Sequence, residues 1–117
     1  MIANYCVCQT EDVITTLEVD DVDKSNYVTI TITTKLPGVL VVTSQGMLNH
    51  DGSVLDMICG EILNTHALLC ISAAEQLLEQ RKINGADNLL QHRSKLIEAR
   101  KTFHKRAVDT LAATVSN

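Results

Sequence analysis

The chain has 117 residues, 45% hydrophobic and only 3% aromatic, with ten Lys and Arg against fourteen Asp and Glu. That length suits one domain with a single core, and no apolar run approaches the ~20 residues of a membrane-spanning helix. With Tyr5, Tyr27 and Phe103 as its aromatics and no tryptophan, the chain lacks a stacking platform for single-stranded nucleic acid.

The net charge of −4 conceals a segregation. Residues 1–80 carry Lys24 and Lys35 against eleven acids, a net of −9, whereas residues 81–117 carry eight basic residues against Asp87, Glu98 and Asp109, a net of +5. The two halves complement one another within a subunit or between subunits, or the basic half meets an external anion. Cys6, Cys8, Cys59 and Cys70 fall in strand and helix patterns, as core residues do. Met1–Gln9 has neither the basic residues nor the apolar length of a secretory signal. Reduced thiols and a cytoplasmic location are therefore expected.

In chain order, Tyr5–Gln9 is a short β-branched and cysteine run. Val13–Val19 alternates, with Val13, Thr15, Leu17 and Val19 on one face, and Asp20–Ser25 is an acidic turn. Asn26–Leu36 is the clearest strand, with Val28, Ile30, Ile32 and Thr34 facing one way and Tyr27, Thr29, Thr31 and Thr33 the other. Pro37-Gly38 suits the centre of a type II turn, and Val39–Ser44 returns as a hydrophobic strand, so these two strands form a hairpin. Gln45–Gly52 reads as a loop.

A helix is predicted from Ser53, its N-cap with Asp56 three residues on, to about Lys82. Its polar stripe is Glu61, Asn64/Thr65, Ser72, Glu75 and Glu79, which leaves an apolar arc above ~200°, wider than one small sheet covers. The helix is expected to be sandwiched, with another helix or another subunit on its second side. Asn84-Gly85 is the predicted stop, and Asp87 or Asn88 caps a last helix running to Val115. The fold class is α+β: a four-stranded, mainly antiparallel sheet (1–50) followed by a long antiparallel helical hairpin (51–117), one domain in all.

The last helix holds the strongest functional clue. Arg93 and Arg100 occupy slots of its apolar face one helical repeat apart, with His104 on the same face and Phe103 beside it. A cation there requires a desolvated anion, either a ligand gripped bidentately or Glu61, Glu75 or Glu79 of the preceding helix. Lys95, Lys101, Lys105 and Arg106 point outward, where they suit phosphate contacts or plain solvation. His66 and Cys70, four residues apart, and Cys6-x-Cys8 are of metal-ligating types, but no C-x₂₋₄-C knuckle accompanies them. His66 is expected to be a core histidine with a hydrogen-bonding partner. No nucleophile motif, phosphate-binding glycine loop or carboxylate pair is present.

The expectation is a non-enzymatic homo-oligomeric binding module without cofactor or metal, a small regulator, sequestering protein or inhibitor. It would associate through helices 53–82 and 88–115. It would engage an anionic ligand or partner (nucleotide-like, otherwise phosphorylated, or an acidic protein surface) through Arg93, Arg100, Phe103 and His104. The alternative is a structural adaptor whose arginines pair internally; the third reading is a nucleic-acid-binding regulator.

Overall fold

The computed structural model describes residues 3–21, 27–49 and 55–116, with side chains over 4–20, 27–47 and 58–102 and at Lys105. Four strands, β1 (Ala3–Gln9), β2 (Ile14–Asp21), β3 (Tyr27–Leu36) and β4 (Leu40–Asn49), precede two helices, α1 (Leu55–Glu79) and α2 (Ile83–Ser116). The sheet is an antiparallel meander in the order β1-β2-β3-β4. The helical hairpin covers one face, α1 over β3 and β4 and α2 over β1. This is the α+β arrangement the sequence predicts.

The alternation in β2 and β3 decides which face is covered. Val13, Thr15, Leu17 and Val19, with Val28, Ile30, Ile32 and Thr34, are all buried. They meet Cys59, Leu63, Ala67, Cys70, Ala74 and Leu77 of α1 and Ala86, Leu89 and Leu96 of α2. The opposite face, with Thr29, Thr31 and Thr33, is only partly shielded. The wide apolar arc of α1 is divided between the sheet and α2, its most extensive neighbour. Leu68, Leu69 and Leu78 are left exposed on it. Among the described residues, no helix is long and apolar enough to cross a membrane.

Four predicted boundaries are corrected. The segment 45–52 is not all loop, because β4 continues to Asn49. β3 is ten residues long and offers a ladder partner all the way, from Leu36↔Leu40 to Tyr27↔Asn49. Gly46 is a strand residue of close approach: a Cβ there would lie 3.1 Å from Cδ1 of Ile62. β1 begins earlier than predicted and carries a bulge between Cys6 and Cys8, which sets Cys8 opposite Thr15. Gly38 sits at φ 75° and Val39 N–H donates to the Leu36 carbonyl at 3.0 Å, the predicted type II turn.

The helix break is the third correction. Asn84-Gly85 does not stop α1, and neither Asp87 nor Asn88 caps α2, which starts at Ile83. The left-handed residue is Arg81, at φ 61°. Its N–H donates to the Leu78 carbonyl at 3.0 Å and that of Lys82 to Leu77 at 2.8 Å, the paired bonds of a Schellman cap. Gly85 lies in the first turn of α2, where a Cβ would make ordinary contacts with Leu36, Leu77 and Val39. A non-glycine residue held left-handed costs about 1 kcal/mol. Arg81→Gly is therefore expected to raise stability by about 1 kcal/mol, a Tm gain of about 4 °C by calorimetry. An unchanged or lower Tm would contradict this account of the cap. The expected acidic turn Asp20–Ser25 is the fourth correction: Asp20 and Asp21 belong to β2, held opposite Thr29 and Val28 of β3, while residues 22–25 and Ser53 lie outside the described residues.

Candidate functional site

The antiparallel hairpin decides what each arginine of α2 meets. With the turn at residues 80–82, Arg100 comes opposite the N-terminal half of α1, and its Nη2 lies 3.6 Å from Oε1 of Glu61. Of the three acids expected as partners, Glu61 is the one that pairs. The contact is wet, with side-chain exposures of 36% and 68%, so its contribution lies at or below about 1 kcal/mol.

Arg93, two helical turns nearer the break, falls at the level of Cys70 instead. Burial raises the Cys70 thiol, while the Thr34 hydroxyl and the Arg93 charge act to lower it. Arg93 itself is half-buried, its Nε is buried with no hydrogen-bond partner, and among the described residues no carboxylate stands within ion-pair distance. The structure thus separates the two arginines by circumstance: one paired at the surface, one half-covered with an orphaned N–H. The side chains of Phe103 and His104, the other predicted site residues, lie outside the described residues.

Between sheet and helices runs a polar chain of six side chains. Thr10 Oγ1 lies 3.0 Å from Nδ1 of His92, whose Nε2 is 2.6 Å from Thr15 Oγ1. Thr15 and Thr34, opposite one another in the β2–β3 register, have their hydroxyls 2.6 Å apart. Thr34 Oγ1 lies 2.7 Å from Nε2 of His66, and Nδ1 of His66 is 2.6 Å from Ser44 Oγ. Cys8 Sγ approaches His92 Nε2 at 3.5 Å, and Cys70 Sγ approaches Thr34 Oγ1 at 4.0 Å. Thr15, Thr34, His66 and His92 are fully buried. Buried polar groups are tolerated when hydrogen-bonded, and both nitrogens of each ring are engaged.

Burial also sets the protonation of this chain. It pushes His66 down to about 4, with the neighbouring His92 adding to the effect, and it lowers His92 in the same way. Burial, reinforced by the nearby Cys6, pushes the Cys8 thiol up to about 11. Both imidazoles are neutral and both thiols protonated near pH 7. This is not the electropositive setting of a reactive cysteine.

His66 is the partnered core histidine the sequence predicts. His92, Thr10, Thr15, Thr34 and Ser44 are residues that sequence reasoning passed over as a group. The available signal was that polar side chains recur on the buried arcs of four separate elements. Since hydroxyls occupy both ring nitrogens of His66, no face of it is left for a metal. Among the described residues no cluster of three or more His, Cys, Asp or Glu is placed to hold one.

Compared with known proteins, the chain matches no family model, no curated protein and no solved structure.

A cleft of about 400 Å³ opens at the end of the molecule holding the helix break, lined among others by Thr10, Asp12, Pro37, Asn84 and Asn88. Asn88 Nδ2 donates to Asp12 Oδ2 across it at 3.2 Å. Its charged residues, Glu11 and Asp12, are both acidic. The cleft and the arginine face are therefore distinct places of opposite charge.

Proposed function

We propose that this protein is a non-enzymatic binding module that works as a homo-oligomer and engages an anionic ligand or partner surface through α2. The observation that carries the reading is the Arg93 guanidinium: half-buried, its Nε orphaned, with no carboxylate of the described residues to neutralise it. A desolvated guanidinium gains most from a planar or tetrahedral anion that accepts two N–H bonds at once. A nucleotide, another phosphorylated small molecule or an acidic protein surface has that chemistry. Arg100, held at 3.6 Å by an exposed Glu61, is available to join at little cost. The neutral, fully engaged histidines and protonated thiols favour binding over catalysis. Four cysteines outside any disulfide, two of them buried, fit a cytoplasmic setting.

Native mass spectrometry of gently purified protein tests this. The expected spectrum shows an oligomer with extra mass on each subunit, and Arg93→Glu is expected to remove that mass while leaving the oligomer intact. An oligomer free of added mass, and a wild-type Tm unmoved by inorganic phosphate or ATP, would overturn the anion site. That outcome would favour the adaptor reading, which the Arg100–Glu61 pair supports.

A further inference from the structure

The two edges of the sheet are not alike. The β1 edge is interrupted by the bulge between Cys6 and Cys8. A bulge is one of the devices that keep an edge strand from pairing further. The β4 strand has no bulge, and its nearest lysine, Lys35, lies on β3 opposite Val41. Its ladder with β3 runs through ten successive pairs without a register shift, and its ten residues, Leu40–Asn49, include no charge and no proline.

The helix flank above that edge continues the pattern. α1 runs antiparallel over β4: Ile62 packs on Gly46 and His66 reaches Ser44. Further along, Leu69, Ala73 and Gln76 flank a groove of about 360 Å³ over Leu40–Thr43. Thr65, Leu69, Ser72 and Gln76 are exposed and uncharged, and Glu61, Glu75 and Glu79, also exposed, adjoin them on the solvent side of the same helix. Leu69 is 42% exposed, and on the strand Val41 is 60% and Met47 66% exposed. In a chain that is 21% charged, β4 and the α1 flank above it carry no charge of their own, with a hydrogen-bonding edge below and a groove above, and Lys35 opposite Val41 is the charge set back on β3.

We propose that β4 is the seam of a two-fold dimer, pairing antiparallel with the β4 of a second copy of this chain while the neutral flanks of the two α1 helices close over it. Charge selects this occupant. In a two-fold interface, residues near the axis meet their own copies, so a charge there meets a like charge, and a neutral strip is the self-complementary solution. A strongly charged partner segment would find no counter-charge on β4 itself. Two ten-residue strands at ~3.4 Å per residue share a seam of ~30 Å, with backbone bonds supplying affinity and the flanking side chains the fit. The inference deepens the homo-oligomer reading above and rests on it, moving the principal contact from the helices to the strand edge.

Sedimentation velocity separates the two claims. The wild-type chain is expected to sediment as a dimer. The double variant Thr43→Lys/Leu69→Lys, with both charges at exposed positions on the seam, is expected to halve that mass while keeping its far-UV circular dichroism. A control, Thr16→Lys on the outer face of β2, is expected to remain dimeric. Should the double variant fail to fold, Thr65→Lys/Gln76→Lys on the same flank provides the same reading. A wild-type monomer overturns both the oligomer and the seam, leaving the edge to an extended peptide of another protein. A dimer that survives a folded seam variant overturns the seam alone and returns the contact to the helices.

Discussion

Thr34→Val is expected to destabilise the chain by about 2–6 kcal/mol, because it breaks the Thr15 and His66 hydrogen bonds in the middle of a buried chain at about 1–3 kcal/mol each. It also removes the acceptor of the Cys70 thiol. The substitution keeps the β-branched shape that suits the interior of β3. Packing is thus nearly unchanged and the loss reports on the hydroxyl. What remains is His66 Nε2 without Thr34, and Thr15 held by His92 alone. Thr33→Val is the matched control: same strand, same chemistry, but on the outer face, where the effect is expected within about 0.5 kcal/mol. Urea midpoints at constant m-value measure both. Equal midpoints for the two variants would show that the chain contributes nothing to stability. Combining Thr34→Val with Ser44→Ala is expected to be non-additive, since both changes strip partners from one ring.

Acid is expected to unfold the protein through the same ring. His66 binds its proton near 6.5 when unfolded and near about 4 when folded. Above 6.5 both states are neutral at this site and pH has no effect through it. Between these values the unfolded chain holds a proton that the folded chain rejects, so stability falls as pH falls. The slope is about 1.4 kcal/mol per pH unit for one histidine, or about 3 kcal/mol across the window from 6.5 to 4. His92 is shifted in the same direction by burial and steepens the loss. Carboxylates titrate mostly below pH 5, which leaves the interval from 6.5 to 5 as the histidine signature. Urea unfolding at half-unit steps is expected to show that slope in wild type. A flat profile between 6.5 and 5 would mean that the rings are not held neutral.

How much of this was legible in the residues depends on the length scale of the rule involved. Period-two alternation is local, and it placed Val28, Ile30, Ile32 and Thr34 on the buried face of β3 and Val13, Thr15, Leu17 and Val19 on that of β2. Pro37-Gly38 announced its own turn for the same reason. The extent of β4 was not local. Gly46 and Asn49 are poor strand formers that become strand because β3 lies alongside them. The break at Arg81 was hidden by a better candidate nearby, Asn84-Gly85. That glycine is an ordinary helix residue packed near Leu36 and Leu77, and the left-handed position of the chain reversal belongs to Arg81. In the candidate site, the pairing of Arg100 with Glu61 rather than Glu75 or Glu79 follows from where the hairpin turns, so it inherited the misplaced break. The polar chain was the least legible. Thr15, Thr34, His66 and His92 each resemble an isolated polar residue on an apolar face until sheet register and helix docking bring them together.

One consequence of that chain concerns hydrogen nuclei. Four hydroxyls and two neutral imidazoles bring six mobile protons to five contacts in a row. A neutral ring cannot accept at both nitrogens, so the proton left over belongs to a hydroxyl. If both rings carried their hydrogens on Nδ1, Thr15 and Thr34 would each donate to a ring and the link between them would stand empty. Of the four tautomer combinations available to His66 and His92, three fill the row and that one does not. The two rings, one on each helix, are therefore not free to tautomerise independently: choosing Nδ1–H at either fixes Nε2–H at the other. The interior behaves as a short one-dimensional ice, with a correlation between two imidazoles that never touch.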